Sequence, residues 1–428
     1  APGHAFYERL GKLLSQAEFD GWAEEECRPH YADGGRPGIP PGTYFRMLLI
    51  GYFEGLDSQR GIAWRCADSL SLKKFLGYGP TATTPDHSSL TKIRQRLPAE
   101  VYERMFAFVL TLVAEHKLLS AHAVGVDSTT LEANAAMKSI VRKETGEDWR
   151  AYVTGLMREA GAIGPDEEPS AEAVAKFDKR RQGKKVSNDD WENPHDPDAK
   201  IARMKDGRTH LAYKAEHVVD LETEVILAAE IYAANAADTA TLVPSVERAQ
   251  DHVDATETGR LIGKIAADKG YHAIETLQGV EQSALVGAKT YIPERETNWN
   301  WTGKTPEQKR AVLNNRARTE RDYGKRLQRQ RSERVERSFA HVCDTGGGRR
   351  TWLRGLANVR KHHLLKAAAH NLGLILRKLL GAGKPRAYAA LLALLHAVQI
   401  AQITRRRLLR ILDDLNMNSR RSPLRWSA

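Results

Sequence analysis

The chain has 428 residues, of which 41% are hydrophobic and 28% are charged. These proportions exclude a disordered chain, and the length suffices for two or three domains that each bury a core. The three cysteines lie far apart in the sequence, which argues against a disulfide framework or a zinc site and is typical of a reducing cytoplasm.

The formal net charge of +11 predicts a polyanionic partner, although a generally basic surface would give the same total. Clustering favours nucleic acid, because a cluster of cations can follow a phosphate backbone. The basic clusters span residues 179–185, 325–337, 346–363 and 404–410. With no run of about 18 apolar residues and no signal-peptide layout at the start, we expect no contact with a membrane.

Residues 1–118 carry apolar residues at helical spacing, which predicts an all-helical region. Inside it, "TTPDHSSLTKIRQRL" predicts a short helix capped by Asp86 or Ser88. A short basic helix among other short helices is typical of a helix-turn-helix DNA reader, but an ordinary solvated helix face would look alike. The basic residues on its outward face are Lys92, Arg94 and Arg96.

An α/β pattern follows. "AHAVGVDSTTLEANA" predicts a strand that ends at Asp127, and "HLAYKAEHVVDLETEVILAAEIYAAN" predicts a hairpin. After a helix, "KIAADKGYH" predicts a strand that ends at Asp268, and "SALVGAK" predicts one more strand. We therefore predict a region 119–380 with a mixed sheet flanked by helices, insertions near 141–208 and 292–332, and a basic helical segment 381–428.

Two acids at strand ends carry the chemistry of this prediction. Asp127 and Asp268 alone are each more typical of turn residues, but together they project into the crevice beyond the sheet, and a divalent cation would relieve their repulsion. A two-metal site needs a third acid. A helical projection around Val335 places Glu336 at the border of the packed face and Glu333 toward solvent, so we choose Glu336, although a surface acid balancing nearby arginines would also lie there.

Several of these motifs together resemble the DDE transposases of bacterial insertion sequences. They are "PDHSSLTKIRQRL", "GVDSTTLEANA", "YKAEHVVD", "ADKGYH" and "RVERSFAHVCDTGGGRRTWLRGLANV", in that order over about residues 40 to 380. The resemblance implies an RNase H-like core in which Asp127, Asp268 and Glu336 bind two Mg²⁺ or Mn²⁺ ions. It implies metal-dependent cleavage at transposon ends and strand transfer into target DNA, by a homodimer in the bacterial cytoplasm at the nucleoid.

The resemblance also suggests further DNA contacts. Relatives carry basic residues around the glutamate, and here that role passes to Arg334, Arg337, Arg349 and Arg350, the last two after a glycine run that lets phosphate approach. Other expected contacts, each with a solvated or packed alternative, are Lys214, His217, Lys269 and the base-stacking candidates Trp299 and Trp301. The alternatives for the whole chain are an RNase H-like nuclease that cleaves without joining and a domesticated DNA-binding protein.

Overall fold

The computed structural model describes residues 4–421 except 33, 35–37, 183–186, 205–206, 284, 286 and 296–300, and it describes side chains as far as residue 412. Its N-terminal part is helical, as predicted. The helices are α1 (Ala5–Gln16), α2 (Phe19–Cys27), α3 (Pro41–Glu54), α4 (Gln59–Asp68), α5 (Leu70–Phe75), α6 (His87–Arg96) and α7 (Ala99–Glu115).

The α/β part alternates strands and helices. It contains β1 (Ala123–Glu132), β2 (Val141–Arg142), α8 (Trp149–Glu159), α9 (Ala171–Arg180), β3 (Trp191–Glu192), β4 (Lys200–Arg203), β5 (Thr209–Asp220), β6 (Ile226–Ala233), α10 (Asp238–Asp254), β7 (Lys264–Ala267), α11 (Ile274–Gln282) and β8 (Lys289–Tyr291). The C-terminal helices are α12 (Pro306–Glu320), α13 (Asp322–Phe339), α14 (Leu356–Leu380) and α15 (Pro385–Arg421).

Within the described residues, the main sheet has six strands in the order β4-β5-β1-β7-β8, and β6 also pairs with β5. The hairpin strand β5 runs antiparallel to β1, whereas β7 runs parallel to β1 and β8 parallel to β7. The predicted α/β class and mixed sheet are therefore confirmed. Helix α10 packs against β5 and β6, and helix α13 crosses β5, β1, β7 and β8.

Two sequence predictions about element bounds are wrong. Strand β1 does not end at Asp127 but continues to Glu132, because β5 pairs with it along that whole length. The last strand is Lys289–Tyr291 rather than 283–289. The polar segment 292–332 contains α12 and the first turns of α13, so much of it is helix.

Helix α14 joins the N-terminal helices to the sheet. It packs on β6 with one face and on α7 and α3 with others, within one continuous hydrophobic core. Two of its cations pair with acids on neighbouring segments. The buried Lys366 Nζ lies 2.9 Å from Asp57, and the half-buried Arg360 lies 2.6 Å from Glu103 and 3.0 Å from Glu230. Pairing offsets the desolvation of these charges, so the two parts of the chain share one interior.

Helix α15 continues away from this core with its large apolar side chains exposed. Residues 356–412 include a helical window of mean hydropathy 1.5, which by length and composition meets the requirement for a membrane span and is not buried. The sequence prediction that the chain lacks such a helix is therefore not supported by this criterion.

The glycine run at 346–348 packs against protein rather than lying open to phosphate. Gly346 and Gly348 are buried, and a Cβ on Gly347 would lie 2.1 Å from a carboxylate oxygen of Asp57. Gly347 also has φ +70°, which side chains rarely adopt. The prediction that these glycines let a DNA phosphate approach is therefore wrong. Their role is to let the chain pass closely over the Asp57–Lys366 ion pair.

We predict that Gly347→Ala lowers the free energy of unfolding by about 2 to 5 kcal/mol, because backbone strain and overpacking add. Gly77→Ala is the matched control, since Gly77 has φ +80° but nothing within 4 Å of its would-be Cβ. The control should lose only about 1 to 2 kcal/mol in denaturant titrations. Equal losses would contradict the close packing at Gly347.

Candidate active site and nucleic-acid interface

Two carboxylates meet where the parallel pairing of β1 and β7 ends. The last paired residues are Val126 and Ala267, so Asp127 and Asp268 occupy the next position on each strand. Their proximity has an electrostatic consequence: burial raises the pKa of Asp127 most, and the charge of Asp268 raises it further. The structure thus brings together the two acids that the sequence singled out.

Asp127 is held by two donors. The backbone N–H of Ser128 donates to its Oδ1 at 2.8 Å, and Arg331 Nη1 donates to its Oδ2 at 2.8 Å. Burial raises the pKa of Asp127 above its ordinary value, and the Arg331 guanidinium opposes that rise. The side chains of Arg331 and Asp127 are only 12% and 24% exposed, so this ion pair is weakly screened.

Asp268 begins a tight turn directly after β7. Its Oδ1 accepts the backbone N–H of Gly270 at 2.7 Å, which caps the 3₁₀ turn Lys269–Tyr271. A Cβ at Gly270 would lie 2.8 Å from Asp268 Oδ1 and 2.8 Å from Asp238 Oδ2, so two carboxylates converge over this glycine. The glycine is needed because acids crowd the turn. Lys269, the residue after Asp268 in this turn, is exposed to solvent.

A buried polar network fixes this turn from the opposite face of the sheet. Glu216 is fully buried on β5, and its Oε2 accepts the Tyr271 hydroxyl at 2.7 Å. Thr241 and Ser245 of α10 donate to the same carboxylate at 2.7 and 2.6 Å. Lys214 lies 3.3 Å from it and donates to Asp238 at 2.6 Å. Glu216 therefore ties the Asp268 turn to β5 and α10.

The third predicted acid, Glu336, does not lie beside Asp127 and Asp268. Glu336 is exposed on α13 and accepts a hydrogen bond from Ser332 at 3.3 Å, while Glu333 pairs with Arg337. Among the described residues, no three acids, histidines or cysteines form a group that would hold a metal ion. The reason is angular: five residues after Arg331, Glu336 points about 140° around the helix from the residue that contacts Asp127.

Comparison with known families identifies the chain. Residues 1–96 match the family model "Transposase domain (DUF772)", and residues 188–372 match "Transposase DDE domain". Together these matches cover more than half of the chain. It belongs to the DDE transposases. No curated protein and no solved structure gives a significant match. The DDE domain implies an RNase H-like fold, and the mixed sheet of this transposase accords with it.

Two expected DNA contacts of the transposase are buried, which corrects their assignment. Lys214 belongs to the Glu216 network beneath α10. His217 lies on the other face of β5, stacked on Phe339 and bonded to Ser338 and His363. The sequence showed a hairpin but not that helices cover both of its faces, so these residues are inaccessible to DNA.

Arg334 and Arg337 are also committed within the protein. Arg334 donates to the carbonyl of Leu221, and Arg337 pairs with Glu224 and Glu333. Both contacts lie toward the β5–β6 turn, at the end of the sheet away from Asp127. Their predicted role beside the acids is therefore corrected, and Arg331 occupies that position instead.

The other predicted DNA contacts differ in exposure. On α6, which Asp86 caps through the backbone N–H of Ser88, Lys92 and Arg96 are exposed and Arg94 is half-buried. Arg349 and Arg350 are exposed, with ion pairs to Asp344 and Glu132. Trp301 is partly buried against the core near Lys309, which favours the packed alternative. Trp299 lies outside the described residues.

Sequence reasoning missed Arg331, Asp238 and Glu216. Arg331 was hidden in a run of basic residues, and only the crossing of α13 over β1 distinguishes it. Glu216 itself gave a signal, because a charged residue in the middle of a central strand is unusual unless it is paired. Asp238 follows the hairpin at the start of α10 and carried no signal of its own.

The buried histidines of the transposase are neutral. Ser338 Oγ donates to the carbonyl of Val335, so its hydroxyl hydrogen is used and His217 Nδ1–H must donate to it. His217 Nε2 then accepts from His363 Nε2–H, at 2.8 Å. Burial lowers the pKa of His217 well below its usual value and lowers the pKa of His363 to about 3.

We predict that these histidines make the fold sensitive to acid. Below pH 6.5 the unfolded chain takes up protons that the folded chain refuses, so stability present above pH 6.5 is lost as the pH falls toward 3. His363→Gln keeps a donor for His217 and should reduce the slope of unfolding free energy against pH by about 1.4 kcal/mol per pH unit between pH 6 and 4.5. An unchanged slope in denaturant titrations would refute this assignment.

Proposed function

We propose that Asp127, Asp268 and Glu336 are the catalytic acids with which this transposase cleaves transposon ends and joins them to target DNA. The observation that carries the proposal is the register of β1 and β7, which puts Asp127 beside Asp268. Glu336 lies on the helix that contacts Asp127, on the side opposite the Leu221 and Glu224 contacts.

DDE transposases use divalent metal ions, and the residues present fit such a cofactor. Carboxylate oxygens are the ligands that hard cations prefer, and the register of β1 and β7 places two of them side by side. Burial, and to a lesser extent the charge of Asp268, raises the pKa of Asp127, and a cation between the two acids would oppose both effects. We propose Mg²⁺ or Mn²⁺, two per site. When bound, such ions activate water or a DNA 3′-hydroxyl and stabilise the leaving oxygen.

The chain's own residues then hold and orient the reactants. Ser128 and Gly270 fix one oxygen of each aspartate through backbone N–H groups, at 2.8 and 2.7 Å. Arg331 neutralises Asp127, and Lys269 is exposed beside Asp268 where a scissile phosphate would lie. We propose Lys92 and Arg96 of α6 as contacts to the duplex that position the end for cleavage.

The positions of these residues suggest a role for each region of the chain. We propose that residues 1–118 bind the terminal inverted repeats, that residues 119–380 carry the chemistry, and that the basic segment 381–428 assists DNA binding. We further propose a homodimer that holds two DNA ends, acting on the bacterial nucleoid in the cytoplasm. No observation favours the alternatives of a nuclease that does not join strands or a domesticated DNA-binding protein.

The central test is cleavage of the inverted repeats that flank the gene. We expect the Mg²⁺-dependent cleavage rate to fall by about 10³-fold or more in each of the variants Asp127→Asn, Asp268→Asn and Glu336→Gln. Each variant removes one proposed metal ligand, and the metal's stabilisation of charge in the transition state is worth several kcal/mol. Glu333→Gln is the matched control on the same helix and should cleave normally. If Glu333→Gln loses cleavage and Glu336→Gln cleaves normally, Glu333 is the third catalytic acid and the assignment of Glu336 is wrong.

Arg331 gives a second prediction. Because its guanidinium competes with a cation for Asp127, Arg331→Gln should bind Mn²⁺ about tenfold more tightly in calorimetric titrations without DNA. Arg334→Gln, on the same helix but bonded to Leu221, should leave the affinity unchanged. An equal affinity in wild type and Arg331→Gln would show that the Arg331–Asp127 pair does not oppose metal binding.

A further inference from the structure

The edge of β1 is open beside the two acids. Strand β7 pairs with β1 only as far as Val126, and the next chain segment on that edge is reached at Glu132. There the backbone N–H of Glu132 donates to the carbonyl of Arg349 at 3.0 Å, and Thr351 N–H donates back to Glu132 at 2.8 Å. Among the described residues, β1 therefore has no paired strand on this edge from Asp127 to Leu131, and we call this unpaired edge the notch.

Trp352 stands at the far end of this notch. Its side chain is 53% exposed, an unusual position for the largest apolar side chain. Its backbone is fixed, since its carbonyl accepts from Asn134 Nδ2 at 3.0 Å and Arg354 Nε donates to the carbonyl of Asn134 at 3.1 Å. The Arg350 guanidinium lies 5.1 Å from the ring centroid. An aromatic face is thus held in place, next to a cation and accessible to solvent.

The same tryptophan borders the N-terminal helices. It lines a crevice with Gln59 at the start of α4 and Arg94 of α6. The Nε of Arg94 is buried there without a partner among the described residues. Trp352 therefore lies between the helix proposed to bind duplex DNA and the acids proposed to cut it.

We propose that Trp352 is a stacking platform for an unpaired DNA base near the cleavage point, with Arg350 binding the adjacent phosphate. The proposal rests on the proposed function, because it requires DNA to run along the notch past Asp127. Stacking on an aromatic ring tolerates any base, and an exposed cation beside the ring attracts the backbone. From Asp127 to Glu132 is five strand residues, roughly 16 Å or about five base-pair steps.

The test compares binding of single-stranded and duplex DNA of the same random 20-nucleotide sequence, in EDTA so that no cleavage occurs. Trp352→Ala should weaken single-strand binding by roughly 5- to 150-fold and duplex binding much less. Trp352→Phe should retain most of the affinity, because it keeps an aromatic face. Leu261→Ala is the control: Leu261 is 62% exposed just before β7, at the opposite end of that strand from Asp268.

A second measurement does not depend on the alanine variant folding. With 2-aminopurine placed at successive positions of an end fragment with an unpaired tip, wild type and Trp352→Phe should quench its emission at one position within about five nucleotides of the cut. Stacking is refuted by absence of a quenched position in wild type, or by equal affinity of wild type and Trp352→Ala. If Asp127→Asn and Asp268→Asn abolish cleavage in that case, the catalytic proposal stands while the stacking proposal fails.

Discussion

The point at which the pairing of β1 and β7 ends brings together the two acids that we propose as catalytic. Parallel strands carry their residues forward in step, so ending the pairing at Val126 and Ala267 forces the next two side chains into one small volume. Both are aspartates, and like charges at that separation raise the free energy of the folded state. The Arg331 guanidinium offsets part of this cost without a bound cation. At the proposed metal site, a divalent ion would relieve the repulsion that remains.

The positions of the two aspartates depend on buried side chains that are not accessible to DNA. Glu216 buries a carboxyl group in the middle of the sheet, which would be very unfavourable without partners. It is stabilised by Lys214 and by three hydroxyls, two from α10 and one from the 3₁₀ turn after β7. Through that third hydroxyl, of Tyr271, it anchors the turn that carries Asp268. On the other face, neutral His217 and His363 join β5 to α13 and α14. The active edge is therefore held rigidly from both faces.

Much of this architecture could be predicted from the sequence. Periodicity and turn residues predicted the helical N-terminal part, the hairpin, and the strand before Asp268. The errors share a cause: Lys214, His217, Arg334 and Arg337 were judged on one segment at a time. Whether a charged residue contacts DNA or an internal partner depends on which helices cover its strand, and local sequence does not record that. The same holds for Arg331, whose role follows from how α13 crosses the sheet.

Helix α14 connects these parts, because its apolar faces fill the space between β6 and α7 and two of its cations are paired with acids on either side. A shared interior of this kind resists hinge motion between the N-terminal helices and the acids. The distance between the N-terminal helices and the two acids is therefore fixed. On the contacts proposed for α6 and for the two acids, the fold then fixes the number of base pairs between the bound bases and the phosphate that is cut. A mobile element carrying this enzyme would have to keep that spacing at both of its ends.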